Sequence, residues 1–244
     1  MEKGIYTTYT RIWRWGSRAI AVGIAAYIAY VYLTLPDVRS LQTMNPASTA
    51  FIDLHAAEAQ QMGMAPRRLQ RWVPYDQISP HLKHAVLMAE DATFFSHGGI
   101  DFNRLQKSIA IDWKKIELTG SGTITQQLAR NLYLSPSNNL FSKFREVLIA
   151  RRLEAELSKH RIFEIYLNVI EWGNGIWGAE AAAQLYFKIP AAALNREQSA
   201  LMAAALITPR SLNSGKPSKR LLRRQEFILR RMDESAPPPS ASLQ

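Results

Sequence analysis

The chain has 244 residues, of which 47% are hydrophobic, and this suits one globular domain with a packed core and a short appendage. It contains no cysteine, so disulfides, thiolate zinc sites and cysteine nucleophiles are excluded. The 30 Lys and Arg residues against 20 Asp and Glu give a formal net charge of +10. This excess predicts an anionic partner, which could be nucleic acid, anionic lipid or a phosphorylated substrate.

The first predicted element is a membrane-spanning helix. No charged side chain occurs from Ala19 to Leu35. A helix formed by these residues would be roughly 25 Å long, near the lower limit for crossing a bilayer core. Basic residues flank the run mainly on its N-terminal side, which predicts a cytoplasmic N-terminus for residues 1–15 and a transmembrane helix over 16–35. A cleaved signal peptide is the alternative, but the run ends in a Pro-Asp pair, not in a small-residue cleavage site.

The rest of the chain is predicted to be mainly α-helical. Residues 36–70 show no sustained period and contain several prolines, so a tether is predicted there, followed by a helical domain over 71–232. Ser79-Pro80 is typical of a helix start, and Thr123-x-x-Gln126 and Asn195-x-x-Gln198 resemble capping boxes. Residues 233–244 are predicted to be a disordered tail. Helices beyond the one at Ser79 are predicted over 123–134, 140–168, 176–187, 195–207 and 217–232.

Glu90 and Asp91 are the first candidate site residues. The helix that begins at Ser79 should end near them, just before the turn indicated by Gly98-Gly99. A carboxylate at Glu90 would face the negative end of the helix dipole and an adjacent carboxylate. Both disfavour ionisation, which suits a general base. A pair of exposed acids at a helix end is the alternative interpretation.

Two further segments could bind an anionic group. The glycine-containing turn 120–122 leads into a helix start at Thr123, where free backbone N–H groups suit phosphate, although neither a Walker A loop nor G-x-G-x-x-G is present. Downstream, Glu146 is a second candidate carboxylate with Lys143 and Arg145 beside it, and guanidinium groups pair well with diphosphate. The alternatives are a helix junction without a ligand and a solvated charged face. The five histidines lack metal-site spacing, so no metal site is predicted.

The order and spacing of these segments resemble the penicillin-binding-protein glycosyltransferase family, which are peptidoglycan polymerases with a lysozyme-like fold. The resemblance covers about residues 70–232, and because no S-x-x-K or K-T-G follows, it favours a monofunctional member without a transpeptidase domain. The matching motifs are Glu90-Asp91-x-x-Phe94-x-x-His97-x-Gly99, Thr123-Ile124-Thr125-Gln126-Gln127, Lys143-x-x-Glu146, Lys159 through Asn168, and Gly173 through Phe187.

The resemblance implies a two-lobed, lysozyme-like helical domain and a mechanism. The lipid-diphosphate-linked glycan chain would be transferred to the 4-hydroxyl of lipid II with inversion, releasing undecaprenyl diphosphate. Glu90 would be the base, and Glu146 would help to position the donor diphosphate. No cofactor is required, although a Mg²⁺ or Mn²⁺ ion could bind at the diphosphate. The implied substrate-binding residues are Asp91, Phe94, His97, Thr123, Gln126, Gln127, Arg130, Lys143 and Arg145.

Three positions depart from the family pattern. Gly122 stands where the family usually has serine, Arg130 replaces a lysine and keeps its charge, and Ser142 replaces an arginine. Arg145 lies three residues after Ser142 on the same predicted helix, so the two positions share a face. Its long guanidinium side chain is predicted to compensate for the lost charge.

Three alternative functions follow from the same observations. A lytic transglycosylase or muramidase would cleave peptidoglycan with one carboxyl as general acid and would need no diphosphate site. A membrane-anchored scaffold with altered catalytic motifs would be no enzyme. Nucleic-acid binding is disfavoured, because the predicted topology puts the basic domain outside the cytoplasm. The expected partners are therefore lipid II, the lipid-linked glycan chain and membrane lipids, with cell-division or cell-wall synthesis proteins as further candidates, at the bacterial inner membrane with a periplasmic catalytic domain.

Overall fold

The computed structural model describes residues 3–101, 122–135, 140–211, 214–235 and 237. It divides into two compact units, Met1–Asp37 and Val38–Gln244. The first unit contains helix α1 (Lys3–Leu33). Within it, Trp15–Leu33 is long and apolar enough to cross a membrane by length and composition, although a signal sequence would meet the same criteria.

The second unit begins with a segment that was predicted to be a tether and is part of the folded domain. It contains helix α2 (Ala50–Gln61), which begins at Thr49, where the side-chain hydroxyl accepts a hydrogen bond from a backbone N–H of the first turn. The Arg161 guanidinium also binds this segment, donating to the carbonyls of Leu41 at 2.7 Å and Met44 at 2.9 Å. The tether prediction is wrong here because these contacts come from a distant part of the chain, which periodicity does not detect.

Three predicted helix starts are confirmed in atomic detail. Helix α3 (Pro80–Glu90) begins at Ser79, whose side chain accepts from a backbone N–H, with proline at the first helical position. Helices α4 (Ile124–Tyr133) and α8 (Arg196–Ala205) both begin with complete capping boxes. In each box, a side chain and a backbone N–H three residues apart bind reciprocally, which satisfies donors that the helix leaves free.

The single helix predicted over 140–168 is two helices. Helix α5 (Leu140–Glu156) ends, and helix α6 (Lys159–Val169) begins after Ser158, whose side chain accepts from the N–H of Arg161 at 3.2 Å. The serine cap offers the backbone an alternative to continuing the first helix. The amphipathic pattern runs through the break, because both helices bury one face against the same core.

The helix predicted over 176–187 starts later than expected. Strands β2 (Glu171–Gly173) and β3 (Ile176–Trp177) form a short antiparallel hairpin, and β1 (Leu69–Gln70) pairs with β3 in parallel, giving the order β1-β3-β2. Helix α7 (Ala179–Phe187) follows the hairpin, and helix α9 (Lys219–Asp233) comes last among the described elements. The disordered tail predicted over 233–244 is wrong for its first residues, because Asp233 is the last residue of α9 and the Ser235 hydroxyl donates to the carbonyl of Arg231 at 2.8 Å. Residues 236 and 238–244 lie outside the described residues.

The packing confirms a mainly helical domain and fixes the position of the candidate residues. Helix α3 packs against α8 and α9, whereas α4 packs against α5 and α6. The largest fully buried side chains include Trp172, Trp177, Tyr166 and Phe94. The C-terminal end of α3 therefore meets the N-terminal end of α4 beside a dense aromatic core.

Candidate active site

Glu90 is the last residue of α3 and is only 6% exposed. Its Oε2 accepts a hydrogen bond from Gln127 Nε2 on α4 at 2.9 Å. Its Oε1 lies 3.7 Å from Arg224 Nη2 on α9. The alternative of an exposed pair of acids is excluded, because this carboxylate is buried and held from two directions.

The amide of Gln127 is itself fixed by two further hydrogen bonds. Its Oε1 accepts from the Tyr166 hydroxyl at 2.9 Å, and its Nε2 also donates to the carbonyl of Gly122 at 3.1 Å. Burial raises the pKa of Tyr166 well above the usual 10, with smaller contributions from Glu90 and others. The phenol therefore stays protonated as a donor, and the amide nitrogen of Gln127 faces Glu90.

Asp91 joins the end of α3 to the start of α4. It is 2% exposed, and its carboxylate oxygens lie 3.0 and 3.1 Å from His97 Nε2. Its Oδ2 also accepts from the backbone N–H of Ile124 at 3.0 Å. That N–H belongs to the first turn of α4, where an anionic partner is stabilised by the helix dipole. Asp91 thus orients the helix that carries Gln127.

Phe94 and its neighbours form the apolar side of the site. Phe94 is fully buried, and its ring lies edge-on to His97 with 6.4 Å between ring centres. The Lys159 ammonium lies 4.2 Å from the centre of the Phe94 ring. A ring with no exposed surface shapes the site by packing, and His97 is held between this ring and Asp91.

Thr123 and Gln126 build the junction before α4. The Thr123 hydroxyl donates to the carbonyl of Gly99 at 2.7 Å and accepts from the N–H of Gln126, while Gln126 Oε1 accepts from the N–H of Thr123 at 3.0 Å. With the N–H of Ile124 bound to Asp91, three of the backbone donors at this helix start are already taken by side chains. These three donors are therefore not available for the phosphate-binding role predicted for the junction. Gly120 and Ser121 lie outside the described residues.

Glu154 connects the surrounding segments and was missed by the sequence reasoning. Its Oε1 accepts from the Thr125 hydroxyl at 2.5 Å and from the Lys159 ammonium at 2.8 Å. A Cβ at Gly99 would lie only 2.9 Å from Glu154 Cγ, and Gly99 has a φ of +82°, so a side chain there would be strained and crowded. Glu154 therefore holds the start of α4 and the start of α6 in one arrangement.

The second candidate carboxylate lies on α5, the helix that packs against α4. The Glu146 side chain is 5% exposed, and its Oε1 pairs with the Lys143 ammonium at 2.7 Å. Burial of Glu146 excludes a simple solvated face for this residue, and half-buried Arg145 lies beside it in sequence. Arg130, at the end of α4, is close enough to act electrostatically on Tyr166. We call Lys143, Arg145 and Glu146 the α5 charge cluster.

Among the described residues, no group of three His, Asp or Glu side chains converges as a metal site would require. The one carboxylate of the α5 charge cluster already has an ammonium partner. A divalent cation at a bound diphosphate would have to compete with Lys143 for Glu146. The side chains present therefore fit a cationic diphosphate site better than a protein-built metal site.

Sequence reasoning did not assign two residues of this network. Arg224 contacts Glu90, and Tyr166 donates a hydrogen bond to Gln127. Tyr166 falls in a segment that matches a family motif, so the resemblance contained a signal for it. Arg224 lies in a helix that was predicted, but its pairing with Glu90 spans most of the domain. A local pattern does not indicate such a contact.

Comparison with known proteins gives one consistent result. A family model described as Transglycosylase matches residues 56–233. The chain is 42% identical over 228 residues to a biosynthetic peptidoglycan transglycosylase of Thiobacillus denitrificans, covering 93% of this chain and 98% of the relative. It is 44% identical over 196 residues to the protein of that name from Dechloromonas aromatica, covering 80% and 85%.

Proposed function

The chain belongs to the transglycosylase family and is a peptidoglycan glycosyltransferase, and we propose that Glu90 is the general base with which it extends a lipid-linked glycan chain. The observation that carries this proposal is the setting of Glu90. It is a buried carboxylate with one oxygen bound by Gln127 and the other facing Arg224. A base that is oriented before substrate arrives needs no reorganisation during proton transfer.

The proposed reaction joins two lipid-linked sugars. The growing glycan on its lipid diphosphate is the donor, and lipid II is the acceptor. Glu90 takes the proton of the acceptor's 4-hydroxyl while that oxygen attacks the anomeric carbon of the donor with inversion. The bond between that carbon and the diphosphate oxygen breaks, and undecaprenyl diphosphate leaves with the electron pair. The transferred proton remains on Glu90 until solvent removes it.

The leaving group sets the second requirement of the reaction. Negative charge grows on the diphosphate as the glycosidic bond breaks, so preorganised cations lower the barrier. The α5 charge cluster supplies an ammonium at Lys143 and a guanidinium at Arg145, and Arg130 adds charge from α4. Glu146 orients the Lys143 ammonium through their 2.7 Å contact.

The setting of Glu90 also bears on the alternatives. A lytic enzyme needs a protonated carboxyl as general acid, and an apolar pocket favours that form. Glu90 is not in an apolar pocket: it faces an amide N–H and a guanidinium. A scaffold without activity would not require Glu90, Gln127 and Tyr166 to be joined in one chain of hydrogen bonds.

The N-terminal helix is proposed to anchor the enzyme in the bacterial inner membrane, with the N-terminus cytoplasmic and the catalytic domain periplasmic. The support is the apolar span Trp15–Leu33 and the basic flank before it. The membrane lipids that carry the substrate would then be partners, and cell-division or cell-wall synthesis proteins are candidates. A C-terminal reporter active only outside the cytoplasm should work, whereas activity of a cytoplasm-only reporter would contradict this topology.

The decisive experiment gives the purified protein lipid II in detergent in one reaction and preformed peptidoglycan in another, and separates glycan polymer from muropeptide fragments. Polymer is the expected product. Fragments released from preformed peptidoglycan would instead support a lytic activity, and no product of either kind would support a scaffold.

A further inference from the structure

Arg224 holds a position for which the reaction scheme above has no role. It lies on α9, far in sequence from every motif of the site, and its side chain is 30% exposed. Its Nη2 is 3.7 Å from Glu90 Oε1, and its Nε is buried without a hydrogen-bond partner among the described residues. Burying a guanidinium edge is costly unless a charge nearby offsets it.

Glu90 needs such a partner for reasons that lie in the fold. It ends α3, where the carbonyl of Leu87 already accepts from the N–H of Asp91 and the carbonyl of Met88 accepts from the Arg231 guanidinium. Asp91 adds a second carboxylate next to it, and the site is buried. The neighbouring carboxylate and the burial both disfavour a negative charge at this position, yet a base must be ionised before it can accept a proton.

The charged and titratable groups around Glu90 come from each helix at the site. Asp91 follows it at the end of α3 and is paired with His97, and Tyr166 faces from α6 as a neutral phenol. Arg231 of α9 donates to the carbonyl of Met88 in the last turn of α3. From α9 comes Arg224, whose guanidinium forms an ion pair with a Glu90 oxygen. Gln127 supplies a hydrogen bond but no charge.

We propose that Arg224 is a positioning residue that keeps Glu90 ionised and oriented in the free enzyme, offsetting Asp91 and the burial of the site. This inference rests on the proposed role of Glu90 as the base. It assigns to α9, which packs against α3, an indirect part in the reaction through Glu90.

The test is the pH dependence of kcat/KM for lipid II, which reports the free enzyme. In Arg224→Gln the acid limb should move to higher pH by about one unit, because one nearby cation has been removed from the carboxylate. Activity should then be lost at a higher pH as the solution is acidified and be mostly recovered at alkaline pH. Arg224→Lys keeps the charge, so its acid limb should lie close to that of the parent enzyme.

Arg223→Gln is the matched control. Arg223 is the preceding residue on α9 and is exposed, so the same change there should leave the limb in place. Melting temperatures of the three variants report folding separately. If Arg224→Gln does not fold, Arg224→Lys still tests the proposal. The shorter lysine side chain places its charge farther from Glu90 Oε1, so the acid limb should lie at a slightly higher pH than in the parent enzyme.

Two results would overturn the inference. An acid limb that stays fixed in Arg224→Gln would show that Arg224 does not act on the base. A uniform loss at all pH values with a fixed limb would assign Arg224 to substrate binding. Failure of the proposed function is distinguishable, because then the parent enzyme itself would form no polymer or would retain polymerisation in Glu90→Gln.

Discussion

The part of the site proposed to hold the base and the part proposed to bind the diphosphate, called the base side and the diphosphate side, are built differently. Around Glu90, the polar groups come from α3, α4, α6 and α9, and Glu90, Asp91 and Tyr166 are almost completely buried. The α5 charge cluster, in contrast, comes from a single helix turn. Its ammonium is 28% exposed at the side chain and is held by one ion pair between neighbours three residues apart.

The difference follows from what each half must do. Proton transfer requires donor and acceptor within hydrogen-bond distance and in line, so a small displacement is costly. Attraction between a cation and a diphosphate falls off slowly with distance, and long flexible side chains can adjust to it. A rigid network therefore suits the base, and adaptable cations suit the leaving group.

The departures from the family pattern agree with this division. Ser142, which replaces an arginine, lies on the helix of the α5 charge cluster, where a second guanidinium is available. Gly122 lies on the base side, but its contribution there is a backbone carbonyl that accepts from Gln127. Any residue type supplies a carbonyl, so the missing serine side chain leaves this hydrogen bond intact.

The largest expected effect comes from removing the base. Glu90→Gln should lower polymerisation about 10²- to 10⁴-fold, the range for loss of a general base. The melting temperature should stay within a few degrees, because a glutamine oxygen can still accept from Gln127 Nε2. Initial rates of glycan polymer formation measure the effect. Retention of more than about a tenth of the parent rate would remove Glu90 from this role.

A smaller loss is expected on the diphosphate side. Arg145→Ala should lower activity on the order of ten- to a hundredfold, because a charge-assisted hydrogen bond contributes about 1.5–3 kcal/mol. Arg152→Ala, on the same helix, is the control and should cost less. Rates for the two variants at saturating and limiting lipid II measure the difference. Equal losses would show that Arg145 has no special contact with the substrate.

Ser142→Arg tests whether Arg145 compensates for the lost arginine. The change should rescue Arg145→Ala more than it helps the parent enzyme, which is the coupling that a double-mutant cycle measures. Additive effects at the two positions would rule out compensation. The diphosphate side would then simply tolerate serine at position 142.

Sequence reasoning predicted the two halves to different extents. Glu90, Asp91 and Gln127 were identified because they lie in short motifs, and the capping box at Thr123 and Gln126 is a local pattern that the structure confirms. Arg224 could not be found in this way, because its contact with Glu90 depends on how α9 packs against α3. The same limit caused the tether error, since Arg161 binds that segment from a distant helix.

The break between α5 and α6 was predictable in principle. Ser158 followed by basic and apolar residues is a helix-start signal of the kind used correctly at Ser79. The continuous amphipathic pattern over 140–168 outweighed it. Here the serine cap, and not the continuous apolar period, determines where the second helix begins.

Tyr166→Phe tests whether the base side depends on its outer hydrogen bonds. The change removes the donor to Gln127 Oε1, which frees the amide to rotate away from Glu90. A net hydrogen bond contributes about 0.5–1.5 kcal/mol, so kcat should fall roughly two- to tenfold while KM changes little. Tyr186→Phe is the control, because that hydroxyl also binds one acceptor, the carbonyl of Trp172. If both variants lose the same activity, the effect is one of folding.

Gly122→Ser is expected to have the smallest effect. Whether polymerisation activity falls or rises distinguishes a packing role of position 122 from a role in the reaction. A Cβ at Gly122 would lie 2.8 Å from Gln126 Oε1 and 3.1 Å from Gln126 Cβ. Gln126 cannot move freely, because its Oε1 completes the capping box with the N–H of Thr123.

The added side chain should therefore weaken this cap, at a cost of about 1 kcal/mol. For a domain of this size, that lowers the melting temperature by roughly 2–4 °C. Gly98→Ser is the control, because a Cβ there meets nothing within 4 Å and the change should leave the melting temperature unaltered. Activity of Gly122→Ser should fall no more than severalfold, since the carbonyl that binds Gln127 remains. A gain in polymerisation with unchanged melting temperature would contradict this account. It would mean that a serine hydroxyl at position 122 contributes to the reaction and that its absence limits this enzyme.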